Sequence, residues 1–248
     1  MSRYSGTRYY SSKTSLRSTD NLFLLLNEKL TNDVLVNDEC IAIDCEMVGV
    51  GYQGSVSALA RVSIVNYYGT KLLDKYVKPK KVVTDYRTPY SGITKEHLEN
   101  AHDFDEVQRE VQELMKGKLI IGQSLGFDFN ALELEHLADS TVIRDTSHYY
   151  YLFGDRFGKK LMYKNKKPSL KKLAKEVLGL QIQEGTHDSV EDARTCMLLY
   201  RLKQNEWEKP MNAVGGSSLE IGKCYVCGSP THVKNRCPEN PMRDKIYI

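Results

Sequence analysis

The pattern of apolar and polar positions first becomes regular near residue 40. Residues 40–48 form a compact apolar run broken by two acids, Asp44 and Glu46; residues 59–68 are rich in β-branched and aromatic types and stop at Gly69; residues 71–78 alternate before Pro79. Three such runs joined by short turns predict three successive strands of an antiparallel meander. The period then changes. Residues 94–100 and 104–116 predict helices, the second with Val107, Val111 and Leu114 on one face and Gly117 as its stop. A short buried strand is expected over 119–121, a helix over 128–137, a strand near 142–143, and helices over 169–178 and 188–204.

Strands in series followed by alternating α and β elements predict an α/β domain built on a mixed five-stranded sheet flanked by helices. Its expected span is 36–210. Residues 1–35 are expected as a flexible tail and lead-in, because the first 20 are rich in Ser, Tyr, Thr and Arg, carry no acid before Asp20 and have no apolar periodicity. A mitochondrial presequence shares that bias, but such segments are amphipathic, and this one is poor in apolar residues before Leu22. Residues 211–221 read as a Gly/Ser-bearing linker, 222–240 as a small module and 241–248 as a C-terminal tail.

Composition narrows the picture only slightly. Hydrophobic residues at 41% over 248 positions suffice for one packed domain plus a small module. The apolar stretch 22–26 is far short of the roughly 20 residues of a membrane span, so a soluble protein with no membrane partner is expected. A net charge of +3 is uninformative, whereas its distribution is not: between Arg156 and Lys172 lie Lys159, Lys160, Lys164, Lys166, Lys167 and Lys171, with no acid among them. Such a cluster can track phosphates or be a solvated lysine-rich loop. Six cysteines, three grouped at the end in metal-type spacing, are no disulfide framework, and a reducing compartment follows.

The chemistry is concentrated in acids. Asp44 and Glu46, two apart in a strand, point to the same side of the sheet. Burying two carboxylates side by side costs several kcal/mol unless a cation compensates, and divalent ions are the usual solution; the alternative is an exposed edge strand. Asp128 follows a buried strand near a helix start, where its plain role would be an N-cap. Asp188 and Glu191 have capping-box spacing, which leaves Asp192 one turn further in, on the side of Cys196 and Leu199. His187 sits on a loop before that helix, a placement suited to a proton acceptor and equally to an exposed histidine. Cys45 points away from both acids and is expected in the core.

At the C-terminus, Cys224, Cys227, His232 and Cys237 give C-x₂-C-x₄-H-x₄-C, four ligands for one structural Zn²⁺ in a stretch too short for a core of its own. The spacing is that of the retroviral-type zinc knuckle, a module for single-stranded nucleic acid. Tyr225 is the expected stacking residue, and Lys223, Lys234 and Arg236 the phosphate contacts; a protein-binding knuckle is the alternative.

The segment Asp44-Cys45-Glu46-Met47-Val48-Gly49 resembles the first motif of the DEDDh exonucleases, and of their RNA exonuclease 4 branch in particular. Ala60-Arg61-Val62-Ser63, Ile143-Arg144-Asp145-Thr146, Pro168-Ser169-Leu170-Lys171 and Val190-Glu191-Asp192-Ala193-Arg194 extend the likeness over residues 41–207. The resemblance implies a ribonuclease-H-like fold and 3′→5′ hydrolysis of RNA to nucleoside 5′-monophosphates, in RNA processing such as that of ribosomal RNA, in the nucleus or nucleolus. It implies two Mg²⁺ or Mn²⁺ ions held by Asp44, Glu46, Asp128 and Asp192, with His187 as general base. Met47 and Val48 would wall the terminal-nucleotide pocket, and Lys164, Lys166 and Lys167 would contact the strand. Single-stranded RNA is the expected partner; single-stranded DNA, for a repair enzyme, and a degenerate nucleic-acid-binding domain are the alternatives. The second motif departs from type: Gln123 and Phe127 stand where relatives carry His and Asn.

Overall fold

The computed structural model describes residues 19–28, 39–138, 140–148 and 167–208. Its centre is a mixed sheet in the order β3-β2-β1-β5-β6: β1 (Cys40–Val50), β2 (Val56–Asn66), β3 (Lys71–Tyr76), β5 (Leu119–Gly122) and β6 (Ile143–Asp145). The first three strands form the expected antiparallel meander, and β5 and β6 run parallel to β1. A sixth strand, β4 (Val83–Asp85), pairs with the far end of β1 and corrects the expected count of five. It is three residues long, too short for any alternation to announce it.

Strand alternation divides the core in two. Cys40 and Ala42 pack with α6 (Leu170–Leu173) and α7 (Ser189–Trp207), whereas Ile41, Ile43 and Cys45 pack with α4 (Phe104–Met115) and the following strands. Helix α7 starts where capping chemistry predicts: Asp188 accepts a hydrogen bond from the Glu191 N–H at 3.0 Å. Three further short helices are α2 (Thr88–Ser91), α3 (Lys95–Glu99) and α5 (Gly126–Ala131).

Several expected boundaries move. The helix expected over 128–137 is α5 followed by a separate 3₁₀ turn, Glu135–Leu137, because Glu133 has left-handed backbone geometry (φ 56°). Residues 169–178 hold α6 and then a π-helical turn, Ala174–Leu178. The flexible lead-in is also corrected in part. Within it α1 (Thr19–Glu28) buries Leu22 and Phe23 against α7, and Arg194 pairs with Asp20 at 2.7 Å. The anchors among its described side chains, Leu22 and Phe23, are adjacent and carry no period, so only the tertiary contact reveals them.

The Phe23 ring, 4% exposed, lies over Gly69, where a β-carbon would come within 2.7 Å of it. Phe23→Ala should therefore cost about 3 kcal/mol. Calorimetry should register this as a fall in the thermal midpoint of roughly 6–12 °C; an unchanged midpoint would show that α1 is not docked.

Candidate active site

Beyond Ala42, β1 runs past the end of its pairing with β5, so Asp44 and Glu46 emerge at the carboxyl end of the parallel strands. In open α/β sheets that is where ligands are taken. Both acids lie on the strand face turned to α7, and Asp192, in the first turn of α7, faces them. Asp128 reaches the same region from α5, which follows β5 after a tight turn. Gly122, the last residue of β5, allows a close approach there, since a β-carbon on it would meet the Leu125 side chain and come within 2.9 Å of the Ile43 carbonyl oxygen, and Ser124 turns the chain with a left-handed φ of 60°. Asp145 then fixes the turn by accepting from the Ser124 and Leu125 N–H groups at 2.8 and 3.1 Å. Asp128 is thus inside α5 rather than its N-cap, correcting the plain reading of that residue.

Glu46, Asp128 and Asp192 are buried, at 5%, 5% and 2% exposure, and Asp44 is half-buried. Burial pushes the Glu46 carboxyl up to about 8; the charge of Asp192 adds to the rise and Arg61 offsets part of it. Burial likewise raises Asp192 to about 7 against the pull of a hydrogen bond from Gln183, and Asp128 to about 7 against hydrogen bonds from Cys45. Asp44 is held well above the ordinary carboxylate range by burial and then by Asp192, Asp128 and Glu46, in that order. The four acids brought together from three separate segments therefore act on one another.

Two carboxylate oxygens in this cluster, Glu46 Oε1 and Asp192 Oδ1, are buried with no hydrogen-bond partner. Leaving such atoms unmatched is costly unless a cation answers them. The donor set is all oxygen, the chemistry of Mg²⁺, Mn²⁺ or Ca²⁺. Among the described residues, however, no three acidic, imidazole or thiolate groups are gathered as a closed cage. The residues fit divalent cations by charge and by free oxygens, not by a preformed chelate.

His187 stands at the rim, with ring Nδ1 3.8 Å from Asp192 Oδ2, and its backbone N–H donates to the Tyr90 carbonyl at 2.8 Å. Partial burial, and secondarily Lys171, lower its pKa, which favours the neutral imidazole. Arg61 braces the loop by donating to Asp188 at 3.0 Å while its other nitrogens bind Asp74.

A family model described as exonuclease matches residues 41–200 of this chain. The chain belongs to the exonuclease family. It is 48% identical over 169 residues to RNA exonuclease 4 of Saccharomyces cerevisiae, a match covering 68% of this chain and 56% of that protein. With RNA exonuclease 4 of Kluyveromyces lactis it is 43% identical over 211 residues, 82% of this chain and 69% of that protein. The chain thus spans little more than half of the S. cerevisiae relative. Among solved structures, the Saccharomyces cerevisiae Pan2 pseudoubiquitin hydrolase–RNA exonuclease module in complex with AAGGAA RNA is 31% identical with a TM-score of 0.56, over 69% of this chain and 29% of that one. An α/β exonuclease fold with a mixed sheet between helices is therefore established.

Of the remaining candidates, Met47 and Lys167 fall within the described residues. Met47 is half-buried and packs against the cluster that contains Leu125 and Phe129. Lys167 is exposed and donates to Ser147 Oγ at 3.3 Å, with His148 Nε2 2.9 Å away. Lys164 and Lys166 lie outside the described residues, as do Cys224, Cys227, His232 and Cys237 with their neighbours Lys223, Tyr225, Lys234 and Arg236. Of the two departures in the second motif, Gln123 is engaged in the scaffold: it donates to the Pro168 carbonyl at 3.1 Å and accepts from Thr146 at 2.6 Å. Phe127 is 74% exposed immediately before Asp128. Sequence reasoning missed Gln183, Asp145 and the bracing by Arg61; for Asp145 and Arg61 the signal was present in the quoted motifs, whose roles become visible only through contacts across the sheet.

A hollow of about 750 Å³ at the opposite end of the strands, lined by residues including Glu39, Lys118, Arg144 and Glu208, contains none of the four acids. Its chief charges, Arg144 and Glu208, bond to each other, so it is no rival site.

Proposed function

We propose that this protein is a divalent-metal-dependent exonuclease that hydrolyses single-stranded RNA from its 3′ end, releasing nucleoside 5′-monophosphates. The observation that carries the reading is the pair of buried, unpartnered oxygens on Glu46 and Asp192 within a cluster of four acids. Asp44, Glu46, Asp128 and Asp192 would hold two Mg²⁺ or Mn²⁺ ions. When bound, such ions polarise the scissile phosphate and stabilise charge on the attacking and leaving oxygens. His187, kept neutral by burial and by Lys171, takes the proton from the attacking water. Its rim position, 3.8 Å from Asp192, leaves the ring able to approach and withdraw.

RNA as substrate is favoured by the likeness to RNA exonuclease 4 of Saccharomyces cerevisiae and to the RNA-bound Pan2 module. The C-terminal C-x₂-C-x₄-H-x₄-C module, carrying one structural Zn²⁺, would hold the single strand through Tyr225 and its basic neighbours. We extend the reading to ribosomal or other precursor RNA in the nucleus, as the sequence resemblance to the RNA exonuclease 4 branch implies.

The test uses the full chain with Mg²⁺ or Mn²⁺ on matched single-stranded RNA and DNA. With a 5′ label, a descending ladder on RNA is expected; with a 3′ label, the mononucleotide should appear first. His187→Ala should lower kcat by about 10²–10⁴-fold. An intact RNA under conditions where DNA is degraded would overturn the substrate assignment, and loss of neither would leave only the binding reading.

A further inference from the structure

Asp192 has two carboxylate oxygens in different states. Oδ1 is buried and unpartnered, whereas Oδ2 accepts from the Gln183 amide at 2.7 Å and lies 3.8 Å from His187 Nδ1. Two side chains of one loop therefore approach the same oxygen, and Gln183 holds it by a hydrogen bond while His187 stands beyond hydrogen-bond reach. Removing the amide would leave Oδ2 open to His187, and the carboxylate free to rotate about its own bond.

Gln183 is itself held with unusual care. Its backbone is left-handed (φ 55°), a conformation costly for a residue with a β-carbon and one that persists only where surroundings impose it. Lys171 Nζ donates to its carbonyl at 2.7 Å, and its backbone hydrogen-bonds the Glu191 carboxylate from the other side. The flanking Ile182 is buried at 2%, which pins the segment to the core while the Gln183 side chain reaches Asp192.

We propose that Gln183 is a positioning residue for the metal site: its amide fixes Asp192 through Oδ2, directs Oδ1 into the acidic cluster, and keeps His187 from closing onto the carboxylate. The inference rests on the assignment of Asp192 as a metal-binding acid. A partner that orients a liganding carboxylate in this way contributes to cation affinity and turnover without touching the RNA. Lys171 acts one step further out, by holding the backbone that aims the amide.

The experiment compares the parent full chain with Gln183→Leu, similar in size and lacking a donor, and with Gln183→Glu, the same shape with a carboxylate turned on a carboxylate. Mn²⁺ binding is read directly by electron paramagnetic resonance titration, and kcat and KM on end-labelled single-stranded RNA alongside thermal midpoints. Gln183→Leu should weaken Mn²⁺ binding and lower kcat each by about tenfold, with KM for RNA unchanged, and Gln183→Glu should be worse. Gln183→Leu is the deciding variant, because a second carboxylate beside Asp192 is repelled whether or not the amide positions it. Lys171→Met, an exposed change, should weaken Mn²⁺ binding in the same direction by less, and that binding readout supplies the test if the Gln183 variants are destabilised, since Lys171 also lowers the His187 pKa and so bears on kcat separately. Parent-like Mn²⁺ binding and kcat in these variants, with Asp192→Asn inactive, would overturn the positioning role and leave the site assignment standing. An active Asp192→Asn would overturn both.

Discussion

Asp192→Asn should reduce nuclease activity at least about a thousandfold while leaving the fold intact or slightly more stable. The asparagine retains an oxygen for the Gln183 amide, so the loop keeps its 2.7 Å contact. What it loses is the charge next to Glu46, where burial raises every carboxyl of the cluster and the charge of Asp192 adds to the rise at Glu46 and Asp44. A group that stabilised the fold would behave in the opposite way, because deleting it would unfold the protein rather than silence it. Asp44→Asn should act likewise, since Asp44 is the acid on which Asp192, Asp128 and Glu46 all press. Turnover near the parent level together with an unchanged melting curve, in either variant, would refute the cation-binding assignment.

Stripping divalent cations should make stability fall as pH rises. The direction follows from proton linkage: Glu46 sits at about 8 in the fold against 4.5 for an ordinary glutamate, and Asp128 and Asp192 at about 7 against 3.8. Between those values the folded chain holds protons that the unfolded chain has released, so each of these groups stabilises the fold below about pH 4. That contribution is lost as pH climbs through 7 to 8. In chelator, the thermal midpoint should drop by at least about 5 °C between pH 5 and pH 8.5. Saturating Mg²⁺ should recover most of that loss at the alkaline end, because a cation that binds only the folded acids stabilises the fold by mass action. A flat, cation-independent profile would mean that the four carboxyls are not the strained cluster described.

How much of this was legible in the chain depended on how local each signal is. Strand β1 declared both its burial and its two acids, because alternation fixes which side chains share a face, and Asp44 and Glu46 duly share one. The capping role of Asp188 was legible for the same reason, a three-residue spacing with a local hydrogen bond. Helix α1 was not, since two apolar anchors, Leu22 and Phe23, acquire meaning only against α7. Strand β4 escaped because three residues carry no period. The convergence of Asp128 with the other acids could be reached from the sequence only through family likeness; in the fold it follows from Gly122, Ser124 and Asp145 shaping the turn after β5. Gln183 gave no signal at all. Its role depends on a left-handed backbone and on a lysine twelve residues earlier, neither of which any composition or spacing rule expresses.

The second-motif departures separate cleanly once placed. Gln123 ties the end of β5 to Pro168 and Thr146, which a scaffold residue does without touching the acids. Phe127, exposed beside Asp128, is the departure that faces solvent at the site.

The most direct measurement is anomalous diffraction from crystals of the full chain soaked in Mn²⁺. The account predicts manganese peaks bonded to Asp44, Glu46, Asp128 and Asp192, with Asp192 contributing Oδ1 while Oδ2 stays on Gln183. Peaks located elsewhere on the protein, with none bonded to Asp44 or Asp192 at manganese concentrations that saturate activity, would contradict it.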